Sequence, residues 1–65
     1  RLCESTAYLV SPEGESKVME YVVNIIPKDD KWFLTNILGE EKTVEGILKE
    51  VDLLKNKILI EKKPS

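Results

Sequence analysis

The stretch Lys17-Val18-Met19-Glu20-Tyr21-Val22-Val23-Asn24-Ile25-Ile26 decides the fold. Five of its ten residues are Val or Ile, and a tyrosine stands among them, a composition that fits a pleated, packed surface far better than a helix. Its apolar side chains fall on both alternating faces, as they do in a strand covered on two sides. Such a strand belongs at the centre of a small barrel or a strongly bent sheet.

Working outward, turn residues cut the rest of the chain into further short apolar runs. Ser11-Pro12-Glu13-Gly14-Glu15-Ser16 reads as a loop. Pro27-Lys28-Asp29-Asp30 reads as a turn with proline at its second position. Gly39-Glu40-Glu41 can close a hairpin, and Leu54-Lys55-Asn56-Lys57 is a shorter polar break. Strands are expected over Cys3 to Val10, Lys17 to Ile26, Lys31 to Leu38 and Lys57 to Glu61. In the first, Cys3, Ala7 and Leu9 share one face, and Tyr8 and Val10 the other.

Residues 43–54 admit two readings. Val44, Ile47, Leu48 and Val51 fall at i, i+3, i+4 and i+7, the helical spacing, with Thr43 suited to cap it. Against a helix stands Gly46, which costs about 1 kcal/mol relative to Ala. In an extended chain Ile47, Val51 and Leu53 share a face, interrupted by Lys49. A helix gives an α+β domain; a bent strand gives a mostly β, five-stranded barrel of the SH3 or Sm-like sort. Either way, residues 1–65 form a single small domain.

Sixty-five residues make a marginal core, since a domain of this size buries only about 60% of its unfolded surface. Metal or a partner subunit is the extra support available, because a single cysteine forbids an internal disulfide. A zinc site of several cysteines and histidines is excluded within one chain, which has one cysteine and no histidine. The formal net charge of -2 shows no basic excess for a polyanion. No apolar run approaches the roughly 20 residues of a membrane span, and no signal peptide is visible. One free thiol fits a reducing compartment, so a soluble, cytoplasmic protein is expected.

Three groups of residues, taken in order, resemble one family. They are Cys3-Glu4-Ser5-Thr6-Ala7-Tyr8-Leu9; Val18-Met19-Glu20-Tyr21-Val22; and Ile37-Leu38-Gly39-Glu40 with Val44-Glu45-Gly46, Val51-Asp52-Leu53 and Ile58-Leu59-Ile60. Their order and spacing are similar to the CooT-like family of small nickel-binding proteins, also labelled predicted RNA-binding proteins. The likeness runs from Cys3 to about Glu61. It implies a β-barrel homodimer, a nickel site on the cysteine next to the initiator methionine, and a nickel-handling role tied to carbon monoxide dehydrogenase. The matching cysteine is Cys3, and the implied barrel tilts residues 43–54 toward strand. The family pattern begins Met-Cys, whereas here Arg1-Leu2 precede Cys3. Processing, trimming or alteration of the start is expected to explain this, and it bears on the ligand set.

The chemistry of Cys3 agrees with that implication. Thiolate is a soft donor, and Ni(II) favours square-planar nitrogen and sulfur ligation. The ionised backbone amides of Cys3 and Leu2 can complete five-membered chelate rings, with the Arg1 amine as a further donor. One thiolate per chain becomes two at the axis of an isologous dimer. The plain alternative is a small hydrophobe packed at the edge of the first strand. Glu4 points to the opposite strand face from Cys3, and Asp52 reads as a turn residue accepting backbone N–H bonds.

RNA binding is the second reading. Tyr8, Tyr21, Trp32 and Phe33 would supply stacking, with Lys28, Lys31, Lys55, Lys57, Lys62 and Lys63 along the backbone. Filling a small core needs several of those aromatics, and the lysines alternate with acids as on a solvated surface. A third reading is a protein-interaction module, with Ile58-Leu59-Ile60 on an open edge and Lys62-Lys63-Pro64-Ser65 blunting its end. Catalysis is not expected. There is no histidine base, and Gly14, Gly39 and Gly46 make no phosphate loop.

Overall fold

The computed structural model describes residues 5–63. They form six strands: β1 (Ser5–Ser11), β2 (Gly14–Lys28), β3 (Lys31–Asn36), β4 (Glu41–Glu45), β5 (Ile47–Asp52) and β6 (Lys57–Glu61). Their order across one sheet is β4-β3-β2-β1-β6-β5. Every neighbouring pair is antiparallel except β1 and β6, which run parallel, with Ala7 beside Ile58 and Leu9 beside Ile60.

The central strand is longer than its apolar run suggests. β2 pairs with β1 through its first half and with β3 through its second. The change of partner falls near Tyr21, whose φ is +58°, and a register shift lies between Val22 and Asn24. This bend folds the sheet over its own core of Ala7, Met19, Val22, Leu34, Val44, Ile58 and Ile60. Leu9, Val18, Ile25, Trp32 and Leu48 pack around them.

Residues 43–52 are extended, with no helix among the described residues; they belong to two strands rather than one, and 53–54 begin the following turn. Gly46 is the corner between β4 and β5. A Cβ there would lie 2.5 Å from the Glu61 carbonyl oxygen and 2.7 Å from Ile60 Cγ2. The Trp32 indole N–H donates to the Gly46 carbonyl oxygen at 3.1 Å, fixing the corner to the core. β4 and β5 are nonetheless the two edges of the sheet and do not pair with each other. The expected five-stranded barrel is therefore an open, six-stranded mixed sheet.

Two hairpins are tighter than their composition suggests. Ser11 pairs with Gly14, which leaves Pro12 and Glu13 as the turn. Pro27 pairs with Trp32 inside the ladder, so the next turn is Asp29-Asp30 alone. The segment Ile58–Ile60, expected on an open edge, is interior: β6 has β1 on one side and β5 on the other.

Candidate metal centre and its surroundings

Cys3 and the Leu2 amide, the predicted nickel donors, lie outside the described residues, as does Glu4. The chain reaches the described part at Ser5, which is buried. Ser5 pairs with Val22, and Val22 with Asn36, so one row of residues marks the end of the sheet where β1 begins. Among the described residues, no three His, Cys, Asp or Glu side chains are grouped to hold a metal ion. The chain's only thiol is Cys3 and it has no histidine; its one other soft donor, the Met19 thioether, is buried in the core.

Two turns at this end are built by side chains. The Leu38 and Glu40 N–H groups donate to Asn36 Oδ1 at 3.0 and 2.9 Å. Asn36 Nδ2 donates in turn to Glu40 Oε1 at 2.7 Å. In the β5–β6 turn, the N–H groups of Leu54 and Lys55 donate to Asp52 Oδ1 at 3.0 and 3.1 Å. Asp52 is thus the turn residue its sequence position suggests. Backbone bonds link both turns to the start of the sheet: Ile37 N–H donates to the Tyr21 carbonyl, and Thr6 N–H to the Asn56 carbonyl.

These turns display apolar side chains to solvent. Leu38 is 76% exposed, Leu53 71% and Leu54 97%, and Tyr21, Val23 and Ile37 are also exposed. Grouped at one end of a small protein, they are the mark of a contact surface. Sequence reading passes over them because each sits in or beside a turn. The available signal was the placing of Ile37-Leu38 and Leu53-Leu54 where turns are usually polar.

The aromatic side chains that would stack bases are not gathered with the lysines into one surface; of those lysines only Lys31, Lys62 and Lys63 share one groove, and no aromatic lines it. Trp32 is packed on the core, and Tyr21 belongs to the apolar end. Tyr8 lies under Lys57, whose Nζ is 4.9 Å from the ring centroid and 3.5 Å from Glu15 Oε1. Lys55 is in the β5–β6 turn, whereas Lys28 and Lys31 flank the turn at the far end of the sheet.

Residues 2–61 match the family described as CO dehydrogenase accessory protein CooT. No curated protein matches the chain. Among solved structures, a crystal structure assigned to CooT from Carboxydothermus hydrogenoformans is 31% identical, with a TM-score of 0.88. The alignment covers 95% of this chain and 100% of that one. With the fold and nearly the whole sequence in agreement, the chain belongs to the CooT family of carbon monoxide dehydrogenase accessory proteins, maturation factors rather than catalysts.

Proposed function

We propose that the protein binds Ni(II) through Cys3 as a homodimer, and stores it for or delivers it to a nickel enzyme such as carbon monoxide dehydrogenase. The observation that carries this reading is family membership combined with a single thiol in the chain. The Leu2 amide is the accompanying nitrogen donor. Two chains supply two thiolates, which suits a Ni(II) ion better than one does.

The apolar end of the sheet supports the dimer. Leu38, Leu53 and Leu54 stand on turns held by Asn36 and Asp52, so burying them against a second copy costs little reordering. Cys3 precedes the buried Ser5 by two residues in sequence, so a two-fold axis at this end gives the paired thiolates their shortest route to one ion. Among the described residues, no helix is long and apolar enough to cross a membrane. A cytoplasmic site of action fits the single free thiol.

Titration with Ni(II), followed by ultraviolet–visible absorption, tests the reading. Thiolate-to-nickel charge-transfer bands should saturate at one nickel per two chains and be absent in Cys3→Ser. Unchanged nickel affinity in Cys3→Ser would remove Cys3 from the site.

A further inference from the structure

The opposite end of the molecule carries a feature that the nickel reading does not use. A shallow groove there has a floor of Leu9, Val18 and Val44. Thr43 and Glu45 line it as well. Side chains alternate along a strand, so three consecutive residues in one groove place it along the edge of β4 rather than on one face. The backbone of that edge has no strand partner, because β4 pairs only with β3, and among the described residues only the Lys42 side chain bonds across from β4, to the Val18 carbonyl at 3.1 Å.

Lys31, Lys62 and Lys63 form the rim of the groove, against the single carboxylate of Glu45. Among the described residues the ion pairs are Lys17–Glu20 and Lys57–Glu15, and neither involves a rim lysine. In a chain of net charge -2, this lining thus carries three lysines against one glutamate, the cross-strand neighbour of Lys31, beside a strand edge with an apolar floor.

We infer that this groove binds an extended acidic peptide segment of a partner protein, added as a strand along β4. The backbone of β4 supplies the ladder bonds, and the floor takes an apolar side chain. Carboxylates on the peptide meet the three lysines. A nucleic acid fits less well. No aromatic lines this groove, and the indole N–H of the neighbouring Trp32 is committed to Gly46. The inference stands apart from the metal, so the Cys3→Ser protein is expected to bind the peptide as the parent does.

A terminally blocked heptapeptide of alternating glutamate and valine is the probe, with its lysine–valine counterpart as control. Amide resonances of the 15N-labelled protein are followed during titration. The acidic peptide should shift Thr43, Val44 and Glu45 and bind at least tenfold more tightly than the basic one. Lys63→Glu should weaken it at least fivefold. Lys55→Glu, an equal charge change at the other end of the sheet, should leave it unchanged. Circular dichroism checks that both variants are folded. Absence of shifts along β4, equal binding of the two peptides, equal loss in both variants, or tighter binding of polyuridylate at the same lysines would each overturn the inference.

Discussion

Asn36 and Asp52 perform similar work in different surroundings, and the difference can be measured. Each accepts two backbone N–H bonds. Asn36 is buried, whereas the Asp52 bonds are exposed. Replacing Asn36 with Ala strands partly buried donors and should cost about 1–3 kcal/mol. Water can replace the Asp52 carboxylate, so Asp52→Ala should cost about 1 kcal/mol or less. Urea unfolding separates the two, and equal losses would contradict this account. Asp52 was legible in the sequence because a carboxylate between Val51 and Leu53 needs a reason; Asn36 was hidden inside an apparent strand that ran to Leu38. Tyr21 was also hidden. Asp29 and Asn56 adopt positive φ in turns, as short polar residues do, but nothing local marks a tyrosine for it. Lys17 adds a pH effect of definite sign. Its hydrogen bond and attraction to Glu20 raise its pKa above the ordinary lysine value, opposed by slight desolvation. The stabilisation is complete below the unfolded pKa and disappears as pH rises through the higher folded one. Glu20→Gln should therefore flatten the alkaline part of the stability profile in a thermal melt series.

At the level of elements, β4 and β5 explain why their segment imitates a helix. Val44 faces the core opposite Trp32; Leu48 and Val51 share the face of their partners Ile60 and Ile58, Leu48 packed against the core and Val51 exposed at its rim. A regular strand would not place residues 48 and 51 on one face. The register shift between Leu48 and Glu50 makes the correction, and the Gly46 corner resets the count before it. A corner and a bulge thus turn alternation into spacings of four and three, which periodicity alone assigns to a helix. Gly46→Ala should be strongly destabilising, by about 1–3 kcal/mol, because its Cβ meets the Glu61 backbone rather than a movable side chain. Chemical denaturation checks it, and a loss below experimental error would mean that the corner yields. The other strands were readable from composition, but their ends were not. Pro27 could not be placed inside a ladder from sequence, since proline is normally tolerated there only at edges and irregularities.

Across the whole molecule, the two ends differ in chemistry: exposed leucines at one, a lysine-rimmed groove at the other. The leucines left a trace in the sequence, as apolar pairs at turns, but neither grouping was legible, because each collects residues from separate strands and turns whose meeting depends on register. If the leucine end holds two copies together, Leu38→Glu and Leu54→Glu should shift sedimentation toward monomer while leaving the far-ultraviolet spectrum intact. The parent's melting temperature should rise with protein concentration, as association of native chains requires. A concentration-independent melt would place the dimer contact elsewhere or remove it.

The parallel pairing of β1 with β6 also has a consequence for synthesis on the ribosome. β6 fills an interior position, so while Lys57–Glu61 is still in the exit tunnel, β1 lacks one neighbour and β5 its only one. The strands already made can form the β1–β2–β3–β4 meander but cannot enclose Ala7, which needs Ile58 beside it. Folding must then wait until Glu61 has left the tunnel, and the nascent chain spends that interval with its apolar strands open to chaperones or to one another.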